Sequence, residues 1–111
     1  MVKKRIRVAV FDDEVWTKEV WIQSPRYRRI TAEVVNRYFA LGRDVGGSLG
    51  LIHIPTCWFA AHNLKNKSHG VRLVRALLRR YPAPKWNFTD PMHAKQLKGC
   101  KEIIEQFEAF A

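Results

Sequence analysis

Arg72, Arg75 and Arg79 recur at i, i+3 and i+7 within a stretch whose apolar residues, Val71, Val74, Leu77, Leu78 and Tyr81, keep the same helical period. On an α-helix rising about 1.5 Å per residue, three guanidinium groups then line one face, with Arg80 beside them. Such a row bridges successive phosphates, and each contact releases condensed counterions. Lys65, Lys67, Lys95 and Lys98 are placed to form a rim. Arg26, Arg29 and Arg37 form a similar, looser row in an earlier segment that also reads as helical. Any amphipathic helix needs a polar face, and arginine is a good helix former. A merely solvated face mixes signs, however, and arginines without glutamate partners repel one another.

Other constellations lead less far. His53, Cys57 and His62 are close enough for a metal site, but zinc favours four ligands in pairs such as C-x-x-C, and the chain has none. His53 shares a predicted strand face with Leu51, which reads as a satisfied, half-buried histidine. The acids Asp12-Asp13-Glu14 follow an apolar run, as in a phosphoryl-accepting receiver. The later strand Ile52-His53-Ile54-Pro55 supplies no aspartate for that chemistry, so the acids read as a hairpin turn. Gly46-Gly47-Ser48-Leu49-Gly50 lacks the Lys-Ser/Thr ending of a phosphate loop. Cys57 has no elbow or orienting acid around it, and the carboxylates do not fall in a nuclease pattern. The expectation is a protein without metal or cofactor and without catalytic residues.

Charge gives the broadest bound. The 111 residues carry 20 Lys+Arg against 10 Asp+Glu, a net +10, which excludes an acidic decoy and points to an anionic partner. The excess is uneven: Leu64 to Lys101 holds ten basic residues and one acid, whereas Glu102 to Ala111 carries three acids and no base. Two partners fit, nucleic acid or an acidic protein surface. Four tryptophans, Trp16, Trp21, Trp58 and Trp86, offer stacking platforms or core packing. Trp16 and Trp21 differ by an odd number and face opposite sides of one predicted strand. The apolar run Val8–Phe11 is shorter than a secretory core, and no run is long enough to span a membrane. The expected location is the cytoplasm, with Cys57 and Cys100 reduced.

These groups must be positioned by one α+β domain over 1–111. Alternation over Ile6–Phe11 and Val15–Ile22 predicts a hairpin. Ser24-Pro25 is a helix-start signal, and Tyr27, Ile30, Val34, Tyr38 and Leu41 predict a helix stopped by Gly42. Leu49–Ile54 and Trp58–Leu64 predict a second hairpin, Ser68 to about Tyr81 a helix, and Asp90-Pro91 the start of a last helix with Leu97, Cys100, Ile103, Ile104, Phe107 and Phe110 inward. The expected architecture is an antiparallel four-stranded sheet in the order ββαββαα, with helices mainly on one face.

The stretch Leu51-Ile52-His53-Ile54-Pro55-Thr56-Cys57-Trp58-Phe59-Ala60, with the Lys-rich turn and Ala/Leu/Arg helix after it, resembles a hairpin of small phage and prophage proteins. There the turn reads HIPT followed by Gly, where this chain has Cys57. The resemblance implies an accessory protein of a mobile element, one that handles nucleic acid or inhibits a host complex that does so, as anti-CRISPR proteins do. Within the last helix, Lys95, Lys98 and Lys101 precede Glu102, Glu105 and Glu108, against the preference of the helix dipole. That polarity fits an antiparallel homodimer in which the Lys end faces the Glu end of its mate.

Overall fold

The computed structural model describes residues 1–10, 26–90 and 98–108. Alternation governs the first strand, β1 (Val2–Val10), as expected, but its partner is β2 (Arg26–Val34), paired antiparallel over all nine residues from Val2 opposite Val34 to Val10 opposite Arg26. The chain continues as a meander through β3 (Phe39–Arg43), β4 (Leu49–His53) and β5 (Trp58–Ala61), giving a five-stranded sheet in sequence order. The strand expected at Val15–Ile22, with Trp16 and Trp21, lies outside the described residues.

The helix expected from Tyr27 to Leu41 is instead β2, a turn and β3. The apolar spacing there satisfies a helical period, yet Ile30, Ala32 and Val34 also alternate with Arg29, Thr31 and Glu33. Tertiary pairing decides between the two periods, because β1 pairs with β2 along its whole length and β3 pairs with Glu33 and Val34 at its end. Asn36 closes the β2–β3 turn, its Oδ1 accepting the N–H groups of Tyr38 and Phe39, each at 2.9 Å. Gly42, expected to stop a helix, lies inside β3. A Cβ there would come within 2.9 Å of Ile30 Cδ1 and 3.1 Å of Ile52 Cδ1, so glycine lets the sheet close tightly on itself.

The sheet has an apolar cluster on each face. On the inner face Ile6, Val8, Ala32, Ala40 and Ile52 pack together, with Ile30, Val34 and Phe59 at their margin. The Ala9 N–H donates to the Cys57 carbonyl at 2.8 Å, so the edge of β1 meets the turn before β5 and the sheet curls around this cluster. On the outer face Phe39, Leu41, Leu49 and Leu51 lie under Leu73, Val74 and Leu77 of α1 (Lys67–Arg80). Gly70 allows the close approach, since a Cβ there would fall 2.5 Å from Leu41 Cδ2. α1 begins two residues earlier than a helix capped by Ser68 would, because Asn66 is the cap: its Oδ1 accepts the His69 N–H at 2.8 Å. The helix ends at Arg80, Pro82 follows, and a 3-10 turn (Ala83–Trp86) leads toward α2 (Lys101–Phe107), whose Ile104 is buried in the outer cluster. The described part of the last helix is thus a short one at its C-terminal end. No described helix is long and apolar enough to cross a membrane.

Cys57 adopts φ 64°, the left-handed region that an L side chain enters at a cost of about 1–2 kcal/mol. Glycine, with no Cβ, enters this region without that cost. Cys57→Gly is therefore expected to stabilise the domain by up to about 1 kcal/mol, the strain relief being partly offset by added freedom of the unfolded chain. Urea denaturation at neutral pH checks this, and a loss of stability would show that the side chain contributes more than the turn costs.

Candidate nucleic-acid interface

α1 places its basic residues by its register on the sheet. With Leu73, Val74 and Leu77 buried against β3 and β4, residues 72, 75 and 79 fall on the opposite side, and all three arginines are exposed. From Arg72 to Arg79 the row is about 10 Å long at the helical rise. Among the described residues none of these three guanidinium groups pairs with a carboxylate. Arg72, Arg75 and Arg79 also line an open groove of about 610 Å³, together with Leu78 and with Phe107 of α2. Cationic heads thus surround an apolar floor, a combination suited to a phosphodiester with its sugar or base alongside. Arg80 diverges from the row, its guanidinium lying 4.4 Å from the centroid of the Tyr81 ring.

The rim is only partly assembled. Lys67 forms an ion pair with Glu33 of β2, and that contact, chiefly the hydrogen bond from Lys67, holds the Glu33 carboxyl below its usual range. Lys67 therefore fastens the start of α1 to the sheet. Lys65 and Lys98 are exposed, and Lys95 lies outside the described residues. The second row does not exist as a row, because its helix does not. Arg29 is exposed on the outer face of β2 opposite Arg7, Arg26 starts the strand opposite Val10, and Arg37 lies in the β2–β3 turn with its guanidinium 5.8 Å from the Tyr38 ring centroid. What replaces it is a basic ribbon that the sequence reading passed over: Lys3, Arg5 and Arg7 alternate on one face of β1, beside Arg29. The signal was present in their period of two.

The other candidate groups have structural duties. His53 is fully buried; Trp86 O lies 2.7 Å from its Nε2 and Thr56 Oγ1 lies 2.8 Å from its Nδ1. A carbonyl only accepts, so Nε2 carries the proton and the neutral ring accepts the Thr56 hydroxyl at Nδ1. Burial pushes the His53 pKa down, partly opposed by the hydrogen bond to Trp86. With both nitrogens occupied, His53 is neither a metal ligand nor a base for Cys57. The Cys57 thiol contacts the Ile54 carbonyl at 3.7 Å, and burial raises its pKa, with Arg7 acting weakly the other way. Among the described residues no three His, Cys, Asp or Glu side chains converge. Trp86 is wholly buried, so it is unavailable for stacking. Glu108, which the charge pattern of the last helix assigned to a mate, accepts the His62 N–H at 2.7 Å within the chain.

No family model, curated protein or solved structure matches this chain.

Proposed function

We propose that this protein is a non-enzymatic nucleic-acid binder that engages the phosphate backbone through Arg72, Arg75 and Arg79, with Lys65 and Lys98 at the margin. The observation that supports it best is the exposed arginine row lining an open groove without a carboxylate partner among the described residues. Three like charges held along about 10 Å of helix repel one another, and a polyanion removes that repulsion. Recognition of this kind positions a backbone and carries no base code, so binding across sequences should be nearly uniform. In the setting that the hairpin resemblance implies, such a protein accompanies a phage or prophage.

A salt titration tests the reading. Wild-type protein is expected to bind a mixed-sequence duplex with micromolar affinity or better at low salt and to lose affinity as salt rises. Each charge-assisted contact contributes about 1.5–3 kcal/mol, so Arg72→Glu with Arg75→Glu should weaken binding at least tenfold. Neutralising all three arginines to glutamine should flatten the slope of log K against log salt by about 2 to 3 if each had met one phosphate. Absence of duplex binding at low salt would reject the proposal in favour of an acidic protein surface as partner.

A further inference from the structure

The outer face of the β1–β2 ribbon holds charge that its own ladder opposes. Arg7 stands directly opposite Arg29. Side chains on such a rung start only about 4.5–5.5 Å apart, and like charges there destabilise the pairing. Arg5 is the next residue along that face, and its guanidinium donates to the Thr31 hydroxyl at 3.4 Å. Lys3 faces Glu33, but Glu33 is already bound to Lys67. Lys3, Arg5, Arg7 and Arg29 are all exposed, and among the described residues none of the three arginines pairs with a carboxylate.

We propose that this face is a track for single-stranded nucleic acid, separate from the α1 row. It rests on the nucleic-acid reading above and assigns the ligand class to a different surface. Two features select a single strand. Lys3, Arg5 and Arg7 repeat about every 6.8 Å along an extended strand, which suits a linear polyanion rather than a compact acidic patch. At the end of the track Tyr27 is 45% exposed, with the Arg7 guanidinium 3.9 Å from its ring centroid. Aromatic rings and guanidinium planes are the surfaces on which unpaired bases stack, and a duplex keeps its base faces hidden.

The test uses a fluorescein-labelled oligothymidylate and a mixed-sequence duplex, followed by anisotropy across salt. Two variants are compared with wild type: Arg5→Gln/Arg7→Gln/Arg29→Gln in the ribbon, and Arg72→Gln/Arg75→Gln/Arg79→Gln in α1. The ribbon variant is expected to bind oligothymidylate at least tenfold more weakly and with a salt slope shallower by about 2, while the α1 variant keeps most of that affinity. Arg29→Glu supplies an independent readout. It turns the repulsive rung into an attractive one, so it should raise the urea midpoint while weakening oligothymidylate binding. Undiminished oligothymidylate binding by the ribbon variant, no oligothymidylate binding by wild type, or a lowered urea midpoint for Arg29→Glu would each overturn the inference. Loss of wild-type duplex binding alone would overturn the α1 reading and leave this one standing.

Discussion

Trp86→Ala is expected to cost about 3–5 kcal/mol, which is a large part of the roughly 5–15 kcal/mol that holds a domain of this kind together. Trp86 is the largest fully buried side chain described. Its ring lies 5.0 Å from Phe39 in an edge-on arrangement, its indole N–H donates to the Tyr81 carbonyl at 2.9 Å, and its own carbonyl receives the His53 Nε2–H. One residue in the connection between the helices thus fastens α1's C-terminal end to the sheet. Truncation removes the packing, leaves a cavity and deprives Tyr81 O of its donor. Should the alanine variant fail to fold, Trp86→Phe separates the contributions: it keeps most of the apolar volume and drops the N–H, for an expected loss of about 1–3 kcal/mol. Under the proposed function, folded Trp86→Phe protein should keep the oligonucleotide affinity of the wild type, since Trp86 is buried and the arginines are exposed. Urea denaturation measures both, and a cost below about 1 kcal/mol for alanine would show that the connection is not part of the core.

Where one period was unambiguous, the chain could be read directly. α1 is legible to within two residues at its start and one at its end because its arginines and leucines separate cleanly at 3.6 residues per turn. β4 and β5 appeared because a short apolar run, a Pro-Thr turn and a second run admit little else. The segment from Arg26 to Arg43 is ambiguous because its apolar residues satisfy both a helical and a strand period. The deciding information, pairing with β1 and β3, is nonlocal. The consequence for the basic residues is that Arg29 stands on a strand opposite Arg7, whereas the helical period puts it in a row with Arg26 and Arg37. The ion pair of Lys67 is invisible in the sequence for a related reason. Its partner Glu33 is 34 residues away, and only the packing of α1 beside β2 brings them together.

Lowering the pH through the range below 6.5 is expected to destabilise the domain, and His53 is the cause. Its folded pKa lies below the ordinary 6.5 because the ring is enclosed, stacked 4.4 Å from Phe88 and edge-on to Phe39 at 5.7 Å, and the hydrogen bond to Trp86 O offsets that burial only in part. Below pH 6.5 the unfolded chain protonates this histidine while the folded one resists, so the unfolded state binds more protons and stability rises with pH. The contribution is therefore complete above about 6.5 and is lost as the pH falls toward the depressed folded value, with a slope of at most about 1.4 kcal/mol per pH unit from this one group. Glu33 has the same sign but acts in a lower window, beneath its ordinary 4.5. His53→Gln should be less stable at neutral pH, having lost a shaped ring between Phe39 and Phe88, and should show a shallower decline between pH 6.5 and 5. Urea midpoints of the two proteins over that interval decide the matter. Parallel pH profiles would mean that the neutral ring of His53 is not what acid attacks.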